Sequence, residues 1–134
     1  MWALALATGM RQGELLGLKW SDYEADRCRL HVERVLQRLG GEWLFPPPKT
    51  LRSRRVLSCS SLAVKALERQ RRVQAEDRLR AGAAWEDRWG DLIFTGPTGK
   101  PRQSAAVTHH LVNHLQAVGL PRVRFHDLRH AAAS

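Results

Sequence analysis

Apolar residues recur along this chain with two different periods, which divide it into helical and extended stretches. Residues 1–8 read as the tail of a helix that Gly9 interrupts, and Met10 to Leu18 restarts a helix with Leu15 and Leu18 on its inner side. Lys19-Trp20-Ser21-Asp22 is a short polar exit with an aromatic anchor. From Arg27 to Leu36 the period drops to two. Cys28, Leu30 and Val32 share one face and Arg27, Arg29, His31 and Glu33 the other, as in a half-buried strand. Gly40-Gly41 predicts a hairpin turn into a second strand, Glu42 to Phe45. Pro46-Pro47-Pro48 ends that strand, because three prolines cannot join a ladder. Arg54 to Cys59 gives a third strand, so Lys49 falls in the connection between the second and third.

Ser60 or Ser61 caps a helix reaching about Ala81, with Leu62, Ala66, Leu67, Gln70 and Val73 along one stripe. A Trp-bearing loop from Gly82 to Gly90, the apolar segment Leu92-Ile93-Phe94 and a turn over Thr95 to Pro101 follow. A last complete helix runs from about Gln103 to Val118 on Val107, Leu111, Leu115 and Val118, and Gly119 with Pro121 ends it. Pro121 to Phe125 leads, extended, into a helix opening at His126 that still runs at Ser134. The predicted fold is mixed α+β: a mainly helical body with a small three-stranded antiparallel sheet on one side, one domain, incomplete at both ends.

Composition adds a partner. A chain of 134 residues with 43% hydrophobic and 26% charged residues has the make-up of a globular domain with a real core. No apolar run approaches the ~20 residues of a bilayer span, and residues 1–8 lack the basic flank of a signal peptide. The expected location is the cytoplasm, with the nucleoid. The two thiols, Cys28 and Cys59, form no Cys-x-x-Cys pair and read as small buried apolar side chains. A net charge of +9 and a pI near 11.0 point to a polyanion, nucleic acid before membrane. The arginines of the long helix (Arg69, Arg71, Arg72, Arg78 and Arg80) form either a solvated face or a DNA contact.

The candidate chemistry centres on Arg124-Phe125-His126-Asp127-Leu128-Arg129-His130. In the first turn of a helix, a His and an Arg three residues apart share a face. They offer an imidazole for proton handling and a permanent guanidinium for an oxyanion, a kit for phosphoryl chemistry. With six His and 18 Arg, His-x-x-Arg arises about once by chance. A second copy, His31 to Arg34, lies in a predicted strand where the two residues face opposite ways. The later copy gains from its company: Arg11 in Thr8-Gly9-Met10-Arg11-Gln12-Gly13-Glu14-Leu15, and Lys49 in Pro48-Lys49-Thr50 with Ser53-Arg54-Arg55.

In this order the three blocks resemble the catalytic domain of tyrosine recombinases, the phage integrase family, and the similarity covers essentially residues 1–134. The resemblance implies that Arg11 and Arg129 grip the non-bridging oxygens of a scissile phosphate in duplex DNA. Lys49 would protonate the leaving 5′ oxygen, and His126 would hydrogen-bond the phosphate and help the nucleophile lose its proton. It further implies attack by a Tyr through a 3′-phosphotyrosyl intermediate, with no metal or other cofactor, and a tetramer acting on two duplexes. Supporting residues are Glu14, an orienting partner for a buried Arg; Asp127, a first-turn acid; and His130, a hydrogen-bonding or packing residue. Read alone, Arg11 pairs with Glu14 at i, i+3 and Lys49 decorates a loop.

Three departures qualify this resemblance. The one tyrosine, Tyr23, does not match the nucleophile block, and the family's further His or Trp after His-x-x-Arg has no counterpart. The amino-terminal core-binding domain is also unmatched. The chain is therefore expected to be an interior piece of an integrase that neither cleaves DNA nor assembles well by itself. The alternative is a non-catalytic DNA-binding remnant. A zinc site on His126 and His130, or on His110 and His114, has the right spacing, but it lacks a carboxylate or Cys cluster, and Arg129 would repel the cation.

Overall fold

The structure of the chain, a computed structural model, describes residues 1–50 and 52–121. It is mixed α and β. Among the described residues the α-helices are α1 (Trp2–Thr8), α2 (Gln12–Leu16), α3 (Ser61–Ala81) and α4 (Ser104–Ala117). The strands are β1 (Tyr23–Glu24), β2 (Arg29–Val32), β3 (Gln37–Leu39), β4 (Glu42–Leu44) and β5 (Arg55–Ser58). β2 lies between β1 and β5 in a three-stranded antiparallel sheet, with Leu30 opposite both Tyr23 and Leu57. The strands β3 and β4 form a separate hairpin. Its turn holds Gly40 and Gly41 at φ 57° and 80°, as a two-residue hairpin loop requires.

The predicted strand over residues 27–36 therefore breaks after Val32, and Tyr23–Glu24 takes the edge expected of Glu42 to Phe45. The break has a tertiary cause. Arg34 leaves the sheet to form a bidentate pair with Asp22 and to donate to the Gly17 carbonyl at 3.1 Å. Val35 N–H donates to the Pro46 carbonyl (2.8 Å) and Leu36 N–H to the Gly13 carbonyl (2.9 Å). The backbone of residues 34–36 is committed to α2 and the proline run, so a new ladder starts only at Gln37. At the other end, Cys28 sits at φ 50° after a single 3₁₀ turn and is exposed, while Cys59 is half-buried. The expectation of two buried thiols fails for Cys28.

The core gathers Leu4 and Ala5 of α1, Met10, Leu15, Leu16 and Leu18 around α2, Leu30 and Val32 of β2, and Ala63 and Leu67 of α3. Leu36, Ile93, Phe94, Val107 and Leu111 complete it among the described residues. The inner face of α3 is rotated from the predicted stripe: Ala63 and Leu67 are buried, whereas Leu62 and Val73 are 50% and 41% exposed. Farther along, that face is polar for a reason. Gln70 donates to the Ile93 carbonyl (2.8 Å), and Gln74 donates to the Leu92 carbonyl (2.7 Å) while accepting from Trp20 Nε1 (2.8 Å). Among the described residues the buried 92–94 segment forms a single β-bridge, to Lys19, so the two glutamines take up the Leu92 and Ile93 carbonyls. Among the described residues, no helix is long and apolar enough to cross a membrane.

Candidate phosphate-binding site

Arg11 owes its position to the junction of α1 and α2. Gly9 closes α1 in the left-handed region at φ 68°, and its N–H returns to the Ala5 carbonyl. Met10 is then fully buried, which pins the chain one residue before Arg11. Arg11 itself is extended (φ −72°, ψ 154°), stands at the head of α2 and accepts from Leu15 N–H at 3.0 Å. Its backbone N–H donates to Glu14 Oε1 at 2.9 Å, so Glu14 closes the first turn as an acid at that position should.

Glu14 is only 2% exposed and carries a second load. Its carboxylate takes a bidentate grip from Arg55 of β5, at 2.9 Å and 3.2 Å. The same Arg55 guanidinium donates to the Ser53 carbonyl at 2.7 Å. Burial pushes the Glu14 carboxyl upward, but the Arg55 hydrogen bond, the Arg11 N–H and the adjacent guanidinium charges outweigh it and hold the group below its usual range. Glu14 thus holds the Arg55 guanidinium with its carboxylate, and Arg11 only through its backbone N–H. Among the described residues no side chain binds the Arg11 guanidinium, and the i, i+3 side-chain pair with Glu14 does not form.

Lys49 enters from the sheet side. The proline run is tied to Val35 through Pro46, and the chain then turns at Thr50, whose carbonyl accepts from Ser53 N–H at 3.1 Å. Arg55 holds the far side of that turn through the Ser53 carbonyl. The outcome is a cavity of about 200 Å³ into which both Arg11 and Lys49 fall, with Glu14, Gln37, Pro48 and Ser53 among its walls. Arg11 and Lys49 are both exposed. Two cations from separate elements thus line one small volume, an arrangement that can hold an oxyanion.

Close approach of α2 to residues 34–36 makes this possible, and glycines permit it. A Cβ on Gly13 would stand 2.6 Å from Val35 Cγ1; one on Gly17 would meet Arg34 and Leu36 at 3.1–3.2 Å. The Gly-x-x-x-Gly spacing of Gly13 and Gly17 is the sequence signal that could have found this contact. Arg55 was legible only as part of a basic run. Of the other predicted site residues, His126, Asp127, Arg129 and His130, with the helix assigned to them, lie outside the described residues. The earlier His-x-x-Arg copy is split: His31 bonds Glu24 at 3.0 Å and Arg34 pairs with Asp22. His114 stacks on Trp2 at 5.5 Å. Tyr23 is half-buried on the sheet edge and does not line the cavity; burial raises its hydroxyl pKa above the usual value.

Solved structures of similar fold include a transposon integrase and a recombinase. A Tn1549 transposon integrase solved with transposon right end DNA matches 98% of this chain and 43% of its own, at TM-score 0.77 and 21% identity. The XerA recombinase matches 96% of this chain and 39% of its own, at TM-score 0.66 and 23% identity. The model of the phage integrase family matches residues 1–134, and the chain belongs to that family. The XerC-like tyrosine recombinase of Caldanaerobacter subterraneus is 31% identical over 144 residues, which cover 100% of this chain and 37% of that protein. The ICEBs1 integrase of Bacillus subtilis is 26% identical over 130 residues, covering 97% and 34%. The chain therefore spans about a third of the length of these curated relatives.

Proposed function

We propose that this chain is the phosphate-gripping part of a site-specific DNA recombinase's catalytic domain. Its substrate would be duplex DNA, and its chemistry metal-free strand cleavage and rejoining through a 3′-phosphotyrosyl intermediate. The observation that carries this is the convergence of Arg11 and Lys49 on one cavity of about 200 Å³, braced by Glu14. Arg11 presents a planar cation to the non-bridging oxygens, where charge grows in the transition state. Lys49 supplies a proton to the leaving 5′ oxygen. His126 and Arg129 complete the set on this reading, with Asp127 and His130 in support. A tetramer on two duplexes, in the cytoplasm, is the proposed setting.

A specific observation favours a second reading for the chain by itself, DNA binding without cleavage. Its one tyrosine is tied into the sheet, lies away from the cavity and has a raised pKa, which disfavours the phenolate. Equilibrium binding to a labelled duplex at several salt concentrations tests the common ground of both readings. Arg11→Ala and Lys49→Ala should each weaken binding and each lower the salt slope by about one phosphate contact. Unchanged slopes in both variants would remove the site from the DNA interface.

A further inference from the structure

The hairpin that supplies Gln37 to the candidate site turns Arg38 to its other side, into a second and larger cleft of about 490 Å³. Arg38 stands directly opposite Trp43 across the hairpin, and its guanidinium lies over the indole at 4.3 Å. The facing wall comes from residues 88–101. There Arg88 covers Trp89 at 4.6 Å, and Lys100 projects from a turn closed by Gly96 N–H to its own carbonyl at 2.9 Å. This wall is built rather than loose. Glu86 N–H bonds the Thr98 carbonyl at 2.8 Å, Trp89 Nε1 donates to Glu86 at 3.0 Å, and Gly99 sits at φ 88° where a Cβ would strike Trp85 at 2.8 Å.

Three cations and two indoles thus line one open cleft, against the single acid Glu42. A phosphate backbone alone asks for the cations and gives no use to the aromatic rings. A paired base cannot use them either, because its face is stacked inside the duplex. An unpaired nucleotide uses both, its base against an indole or guanidinium plane and its phosphate on the cations. We propose that this cleft is a single-strand subsite that holds one or two unpaired nucleotides. The proposal rests on the DNA strand-transfer reading: a cut strand that changes partners must first leave its complement, and the cleft would receive it.

The test compares binding of the chain to labelled oligothymidylate, which cannot pair or fold, and to a duplex of equal length. Trp43→Leu keeps apolar bulk where the indole touches the core and removes the stacking face; Trp43→Phe keeps a face. Trp43→Leu should weaken oligothymidylate binding about 5- to 100-fold and leave duplex binding within about twofold, and Trp43→Phe should recover most of the loss. Lys100→Gln should lower the single-strand salt slope by about 0.7. If unfolding shows that Trp43→Leu does not fold, Trp89→Leu on the opposite wall makes the same test. Unchanged oligothymidylate affinity, or equal losses for both ligands, would overturn the subsite. Wild-type binding to duplex alone would overturn it and leave the proposed function standing; binding to neither would overturn both.

Discussion

Removing Arg55 should harm this protein more than removing the charge of Glu14. The two side chains share one bidentate pair, but they stand in different surroundings: the Glu14 side chain is 3% exposed and that of Arg55 is 28%. Arg55→Met leaves an ionised carboxylate almost without water, holding only the Arg11 N–H. Truncating one member of a buried pair typically costs about 3–5 kcal/mol, and partial access of water on the Arg55 side argues for about 3 kcal/mol. Glu14→Gln removes the charge while its amide oxygen can still accept from Arg11 N–H, and the Arg55 guanidinium can turn toward solvent. That change should cost about 1–2 kcal/mol. In urea, at roughly 1.5–2 kcal/mol per M, Arg55→Met should lower the unfolding midpoint by about 1.5–2 M and Glu14→Gln by about half as much.

The pH dependence sharpens the test. In the wild type the folded-state pKa of Glu14 lies below its ordinary 4.5, so its stabilisation is whole above that value and fades as pH falls through the lowered one. Burial is already the largest single influence, and without the Arg55 hydrogen bond and charge to oppose it the folded-state pKa should rise. Lowering the pH through that raised value should then restore stability to Arg55→Met relative to the wild type. Tryptophan fluorescence against urea at pH 7 and near pH 4.5 measures both effects. Equal midpoints for the two variants, or no narrowing of the Arg55→Met deficit in acid, would refute the idea of a trapped carboxylate.

Gly13→Ala should destabilise by about 1–2 kcal/mol although alanine favours a helix, because its Cβ would meet Val35 Cγ1 at 2.6 Å. Unfolding of Gly13→Ala beside Gly13→Ala/Val35→Ala checks this, since the smaller partner should recover most of the loss. Incubating the chain with a nicked duplex and resolving it under denaturing conditions should give no covalent adduct, and Tyr23→Phe should bind duplex as the wild type does. An adduct that Tyr23→Phe abolishes would make Tyr23 a nucleophile after all.

Local chemistry was what the sequence made legible. The Gly40-Gly41 turn, the Ser60 cap, the proline stop before Lys49 and the Gly119 exit depend on a few adjacent residues, and each stands where it was expected. Strand partners were not legible in the same way. Period two made residues 27–36 a strand, but whether Arg34 to Leu36 stay in a ladder depends on Asp22, Gly17, Gly13 and Pro46, all distant in sequence. The face of α3 was misread for a related reason. Gln70 was on the predicted stripe, but Gln74 looks solvent-facing until the carbonyls of Leu92 and Ile93 are found unpaired by any strand.

The site shows the same division, and it explains how the arginine and lysine of the proposed site can come from elements with so little regular structure. α2 has five residues and β5 has four, neither long enough to fix a side chain by itself. Glu14 joins them: one oxygen orders the head of α2 through Arg11 N–H, and the carboxylate as a whole holds Arg55, which in turn holds the Lys49 turn at Ser53. Arg11 and Lys49 are thereby linked through a buried acid that touches neither of their charged ends. Precision at the cavity is a property of that chain of contacts. On the proposed function, a change at Glu14 or Arg55 should therefore loosen the hold on phosphate at both cations together, where Arg11→Ala or Lys49→Ala should loosen it at one.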